Sequence, residues 1–253
     1  GAPIASEDTM RTLRKGRYAA RFAETEADLA AALALRARCF RGGAPDRDGF
    51  DAVCRHALVE DARDGRVVCT FRLLPLKDGC EIARSYSAQH YDLARLEAFP
   101  GPMVEMGRFC IDPGARDADV LRVAWGAMTA HVDAEGVQML FGCSSFPGTG
   151  AERHLDAFAL LRDRHLAPPR WLPRVKGGDV FRFARGRAAP ERPDAARALR
   201  GMPPLLRSYL AMGGWVSDHA VVDRDLGTLH VFTGLEIAAI PPARARALRA
   251  VAG

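Results

Sequence analysis

Lysine is nearly missing from this 253-residue chain: Lys15, Lys77 and Lys176 are three of its 36 basic residues, so arginine carries almost all the positive charge. Arginine presents a planar fork of donors, and a net charge of +5 suits carboxylates, anionic headgroups or an acidic protein. Nucleic acid is not expected as a partner, because no zinc finger, aromatic-basic RNA motif or helix-turn-helix accompanies the charge. Also missing is any run approaching the roughly 18 uninterrupted apolar residues of a membrane-spanning helix. The opening stretch GAPIASEDTMRTLRKGR has no apolar signal core, so residues 1–16 are expected to be a flexible tail and the protein cytoplasmic. No CxxC pair occurs among the six cysteines, at 39, 54, 69, 80, 110 and 143, which read as reduced core residues rather than metal ligands or disulfides. No metal-ligand spacing and no Ser/His/Asp nucleophile arrangement stands out, and no metal is expected.

What is present is a succession of strands and amphipathic helices. Arg17 to Glu24 alternates as a first strand, and Glu26 to Phe40 is an alanine-rich helix with an apolar face. After the breaker RGGAPDRDG, Phe50 to Glu60 reads as a short helix or extended arm. Asp64-Gly65 then turns the chain into the strand RVVCTFRLLP, and Lys77-Asp78-Gly79 reads as a hairpin turn into CEIARSYSAQHYD. A helix from Ala118 to Glu135, ended by Gly136, separates the strands VEMGRFCID and VQMLFGCSSF, which is the length a parallel crossover needs. A helix over Ala151 to His165, the strand DVFRFAR, a proline- and arginine-rich link from Pro190 to Pro204, a helix in LLRSYLAMGG and the strand pair WVSDHAVVD and TLHVFTGLEI complete the chain. The order predicts an α/β (α+β) fold with a mixed sheet.

One strand carries charge where a core strand should not. VEMGRFCIDP holds Glu105 and Arg108 three positions apart, and alternation would send one of them into the core. A bulge at Gly107 would let both reach one cleft and would free the backbone N–H groups of Gly107 to Phe109 for a ligand. Arg72, in TFRLLP, has apolar neighbours and therefore requires an acidic partner. Asp48, read by itself, is a turn or capping residue. Ser144 and Ser145 read equally well as turn formers ending a strand or as hydrogen-bonding groups in a cleft.

RARCF, DRDGFD, VVCTFRLLP and VEMGRFCIDP stand in the order and spacing found in the acyl-homoserine-lactone synthases and the ornithine lipid N-acyltransferases (ornithine-acyl carrier protein N-acyltransferases), and the chain resembles both over residues 17–253. The ending LLRSYLAMGGWVSDHAVVDRDLGTLHVF is similar to the second group. The resemblance implies a GNAT-like, mostly antiparallel twisted sheet flanked by helices. It implies one domain, with a core over 17–187 and a C-terminal helix and strand-pair extension over 195–253. It implies transfer of a 3-hydroxyacyl chain from acyl carrier protein to the α-amine of ornithine, with the carrier's phosphopantetheine as donor arm and no permanently bound cofactor. Glutamine as acceptor, a homoserine-lactone synthase and a noncatalytic acyl-carrier or lipid-binding module are the competing readings.

Residue roles follow from combining the two. Glu105 is the candidate base for the amine, and Arg108 orients it or binds the substrate carboxylate. Asp48 and Asp51 match family positions that organise the acceptor pocket, with Arg72 completing the network and Arg38 and Phe40 at its mouth. Phe109, Ile111, Arg116, Ser144 and Ser145 are candidates for pantetheine contact, and Asp218, His219 and Asp223 for a contribution from the tail. The segment DPGARDADV departs from the phosphate-binding loop of GNAT enzymes, which points away from acetyl-CoA. Arg116, Arg122, Arg170, Arg174 and Lys176 are candidates for docking an acidic carrier, and a peripheral contact with the inner face of the membrane is a further expectation.

Overall fold

The computed structural model describes residues 13–185, 190 and 192–253, and the chain divides into two compact units. The first comprises residues 1–74, 108–137 and 242–253. Its described part opens with the edge strand β1 (Leu13–Lys15), paired antiparallel with β2 (Tyr18–Phe22). The segment expected as a tail therefore lies partly in this strand and partly, for residues 1–12, outside the described residues. Helix α1 (Glu26–Arg41) starts at a capping box between Thr25 and Asp28 and stops at Gly42, whose φ of 59° places it in the left-handed region.

Phe50 to Cys54 then form turns rather than a helix, and the strand begins only at β3 (Arg55–Asp61). β3 pairs antiparallel with β2 and with β4 (Val67–Leu76). The later part of β6 (Met103–Ile111) lies next to β4, where the Asp112 N–H donates to the Val68 carbonyl at 2.7 Å. Helix α2 (Ala118–Glu135), capped by Asp117 and closed by Gly136, packs on β2 and on the last helix, α6 (Pro242–Ala252). At that crossing Gly126 has no side chain because Val251 and Leu13 occupy the space.

The second unit comprises residues 75–107 and 138–241. The expected hairpin after Lys77 is absent. Asp78 caps a 3-10 turn over Gly79–Arg84 through the Cys80 N–H, which curls the chain before a strand can form. Further 3-10 turns follow at Ser87–Gln89 and Ala94–Ala98, around the short β5 (Tyr91–Asp92). The early part of β6 pairs parallel with β7 (Met139–Pro147), from Met103 opposite Met139 to Glu105 opposite Phe141, as the crossover length predicts.

Helix α3 (Leu155–Arg164) precedes β8 (Arg174–Val175), which pairs with β5, and β9 (Val180–Phe181). The stretch read as a link contains α4 (Ala195–Gly201), and α5 (Pro204–Ala211) follows it. β10 (Trp215–Asp223) and β11 (Thr228–Glu236) form the predicted strand pair, and β11 pairs antiparallel with β7 along its whole length. Phe146, Phe158, Phe183, Leu161, Leu206 and Val231 form the core of this unit. The six cysteines form no disulfide with one another, and Cys80 is exposed, contrary to the expectation that they sit in the core. No helix among the described residues is long and apolar enough to cross a membrane.

β7 runs close against β6 at Gly142, where a Cβ would collide with the Met106 carbonyl oxygen. Gly142→Ala is expected to lower stability by about 1–3 kcal/mol, since backbone must move to admit the methyl group, as read from urea unfolding.

Candidate active site

In the first unit, four arginines converge on the three aspartates of the PDRDGFD segment. Arg36, on the face of α1 that buries Ala32 and Leu35, is only 1% exposed. Its Nε donates to Asp46 at 2.8 Å, and its Nη1 donates to Asp51 at 2.6 Å. Arg72 on β4 forks across Asp48 at 2.6 and 3.0 Å and also reaches Asp51 at 2.8 Å, with its guanidinium 5.5 Å from the Phe50 ring. Arg108 on β6 donates to Asp46 at 3.1 Å and to Asp48 at 3.5 Å, and Arg41 adds a bond to Asp46 at 3.0 Å. The loop also braces itself, because the Asp48 N–H donates to Asp51 and the Phe50 N–H to Asp48.

Burial opposes charge on Asp46, Asp51 and Arg72, and pairing overrides it. Asp51 is raised by burial but drawn down further by Arg36, the Asp48 N–H and Arg72, to about 2. Asp46 is held below the usual carboxylate range because Arg108 and Arg36 outweigh its burial. Arg72 loses by burial and gains more from Asp48 and Asp51, so its proton is bound more tightly than usual. His56, whose Nε2 lies 2.9 Å from the Asp51 carbonyl, is pushed down by burial and stays neutral near pH 7. Asp46 and Asp51 side chains are each 1% exposed, whereas Asp48 is 26% exposed, which makes Asp48 the acid of this cluster that a solute can reach.

In the second unit, Glu105 is buried and accepts three bonds from the turn at Tyr86 and Ser87. The Tyr86 N–H reaches Oε1 at 2.9 Å, and the Ser87 N–H and hydroxyl reach Oε2 at 2.8 and 2.5 Å. Ser87 Oγ also lies 3.5 Å from Cys143 Sγ on β7. A carboxylate held this way is an acceptor with a hydroxyl already in contact, an arrangement that can pass a proton.

Residues 22–126 match the acetyltransferase (GNAT) domain family. An L-ornithine N(alpha)-acyltransferase of Rhodobacter capsulatus is 35% identical over 74% of this chain and 72% of its own, and one of Rhizobium meliloti is 30% identical over 87% and 80%. The chain belongs to the L-ornithine N(alpha)-acyltransferase family. Among solved structures, an N-acyl amino acid synthase from uncultured soil microbes is 9% identical over 88% of this chain and 91% of its own, with a TM-score of 0.47.

Within this family member, Asp48, Asp51, Arg72 and Arg108 form the network expected of them. Its centre, however, is Arg36 with Asp46, neither of which sequence reasoning singled out. The available signal was helix phase: Arg36 follows Ala32 by four residues, on the apolar face of α1, where an arginine needs buried acids. The strand irregularity falls on Arg108 rather than Gly107, with φ of 51° at a non-glycine residue. Arg38 stands apart from the cluster, exposed and 3.6 Å from Asp112, and Phe40 is half-buried. Phe109 stacks on Phe71 at 5.8 Å, and the Ile111 carbonyl accepts from Cys39. Arg116 is exposed, with Nε on the Pro113 carbonyl.

Ser144 and Ser145 lie within β7, not at a turn. Ser144 is buried and accepts from Thr233, and Ser145 is exposed. His219 Nδ1 lies 2.7 Å from Asp218, and Asp223 accepts from the Leu226 N–H. At the start of α2, Asp117 takes the Asp119 N–H and Asp119 pairs with Arg122, so acid occupies the helix end where GNAT enzymes hold a pyrophosphate.

Arg36→Met leaves Asp46 and Asp51 buried with fewer partners and is expected to cost about 3–5 kcal/mol in urea unfolding at pH 7. Because the Asp51 pKa is depressed to about 2 in the fold, its contribution is complete above about pH 4 and is lost as pH falls toward 2. The variant should therefore show a flatter loss of stability across that window than the wild type.

Proposed function

We propose that the protein moves a 3-hydroxyacyl chain from acyl carrier protein to the α-amine of L-ornithine, yielding a lyso-ornithine lipid. The match to named L-ornithine N(alpha)-acyltransferases, over 72% and 80% of their lengths, carries this reading. The site supports it chemically. Asp48 is the reachable acid that takes the δ-ammonium, and Arg108 and Arg72 hold it in place and draw the substrate carboxylate. Glu105 takes the amine proton through the Ser87 hydroxyl or a water: the amine proton passes to Ser87 Oγ as the Ser87 proton passes to Oε2.

The amine nitrogen bonds to the thioester carbon, the backbone N–H groups of Gly107 to Phe109 stabilise the oxyanion, and the C–S bond breaks to release the pantetheine thiol. Acid at the start of α2 disfavours a nucleotide pyrophosphate, which supports the phosphopantetheine of a carrier protein as the donor arm. Arg116, Arg122, Arg170, Arg174 and Lys176 supply positive charge for the acidic carrier, and a long-chain product suits release at a membrane surface.

Purified protein incubated with 3-hydroxyacyl carrier protein and ornithine should release thiol and form the acylated amino acid by mass. Absence of acylated product with every amino acid tested would sink the enzyme reading. Glu105→Gln is expected to lower kcat by about 100-fold or more while the protein still folds, as read from circular dichroism. Asp48→Asn should raise KM for ornithine far more than for glutamine, and equal effects would favour glutamine-type recognition.

A further inference from the structure

The second unit gathers a second polar constellation, which includes the tail residue Asp223. His90 ends the Tyr86–His90 turn, while Asp223 and His230 are diagonal neighbours on the β10–β11 hairpin, since Val221 stands opposite His230 and Asp223 opposite Thr228. One donor atom from each of His90, Asp223 and His230 lies within 4.8 Å of the others. Their rings also meet, His90 edge-on to His230 at 4.9 Å.

His230 is 2% exposed, and its Nε2 is buried without a hydrogen bond among the described residues. The other nitrogen fixes its tautomer. Tyr91 Oη donates to the His230 carbonyl at 2.8 Å, so its 2.9 Å contact with Nδ1 has the imidazole N–H as donor. The lone pair is then on Nε2. Asp223 spends Oδ1 on the Leu226 N–H and leaves Oδ2 beside the Tyr86 hydroxyl at 3.5 Å.

We propose that His90, Asp223 and His230 form a binding site for a first-row transition dication of the Zn²⁺ type, with two imidazole nitrogens and one carboxylate oxygen. Two imidazoles exclude the oxygen-only preference of Mg²⁺ and Ca²⁺. Bonds of about 2.1 Å in tetrahedral array separate ligand atoms by roughly 3.4 Å, so side-chain rotation closes the site, and water or the Tyr86 hydroxyl fills the fourth position. Tyr91 supplies the outer hydrogen bond that orients a ligating histidine. The ion would tie the β10–β11 hairpin to the turn whose Tyr86 and Ser87 N–H groups hold Glu105, and so would stiffen that carboxylate's setting.

The test uses tag-free full-length protein stripped with a chelator and titrated with Zn²⁺ alone. One equivalent should bind and raise the melting temperature, and X-ray absorption of the zinc-loaded wild type should show two imidazoles with oxygen in the first shell. His230→Ala and Asp223→Asn should each weaken binding at least tenfold, whereas His165→Ala should not. A first shell without two imidazoles, no stoichiometric binding, or affinity unchanged in His230→Ala would overturn the site. The absorption measurement on wild type decides the matter even if a variant fails to fold.

Discussion

The cluster of Arg36, Arg72 and Arg108 with Asp46, Asp48 and Asp51 is the constraint on which the first unit's chemistry depends. An arginine 1% exposed is tolerable only with anions at bonding distance, and the anions sit in a proline- and glycine-containing segment with no regular structure of its own. Pairing therefore gives that segment its shape. The loop between α1 and β3 is ordered because α1, β4 and β6 each deliver a guanidinium to it. The two fully buried aspartates hold the loop, and Asp48 alone of the three is partly exposed.

The second unit places its key carboxylate by a different device. Glu105 comes from a core strand and is anchored by the backbone of an irregular turn, so the turn's position and the carboxylate's are one variable. The same turn ends in His90 beside the hairpin residues Asp223 and His230. Short 3-10 turns are weak structures by themselves. Here side chains and a parallel strand pair hold them, with Gly142 admitting β7 close to β6.

Regular elements with a clean period were legible in the sequence. The α2 boundaries, the β6–β7 parallel pairing and the β10–β11 pair follow from periodicity, capping residues and glycine stops. Elements decided by local side-chain competition were misread. The Asp78 side chain captures the Cys80 N–H and starts a 3-10 turn where a hairpin was expected, and Asp194 takes the Arg197 N–H to start α4 inside a proline-rich stretch. The site was half legible. Arg72, misplaced in an apolar strand, announced its need for an acid, and family motifs pointed to Asp48 and Asp51, but Arg36 hid in an alanine-rich helix and Asp46 in a loop.

By itself the sequence determined the secondary structure that packing periodicity enforces, and the family through motifs whose order and spacing survive. Only the tertiary structure decided which charges meet. Ion pairs and metal-capable clusters here join residues from ten to more than a hundred positions apart, such as Arg36 with Asp46, Arg108 with Asp46, and His90 with Asp223. Local propensity contains no term for such separations, and the cost of burying an unpaired charge acts only once the chain has folded around it.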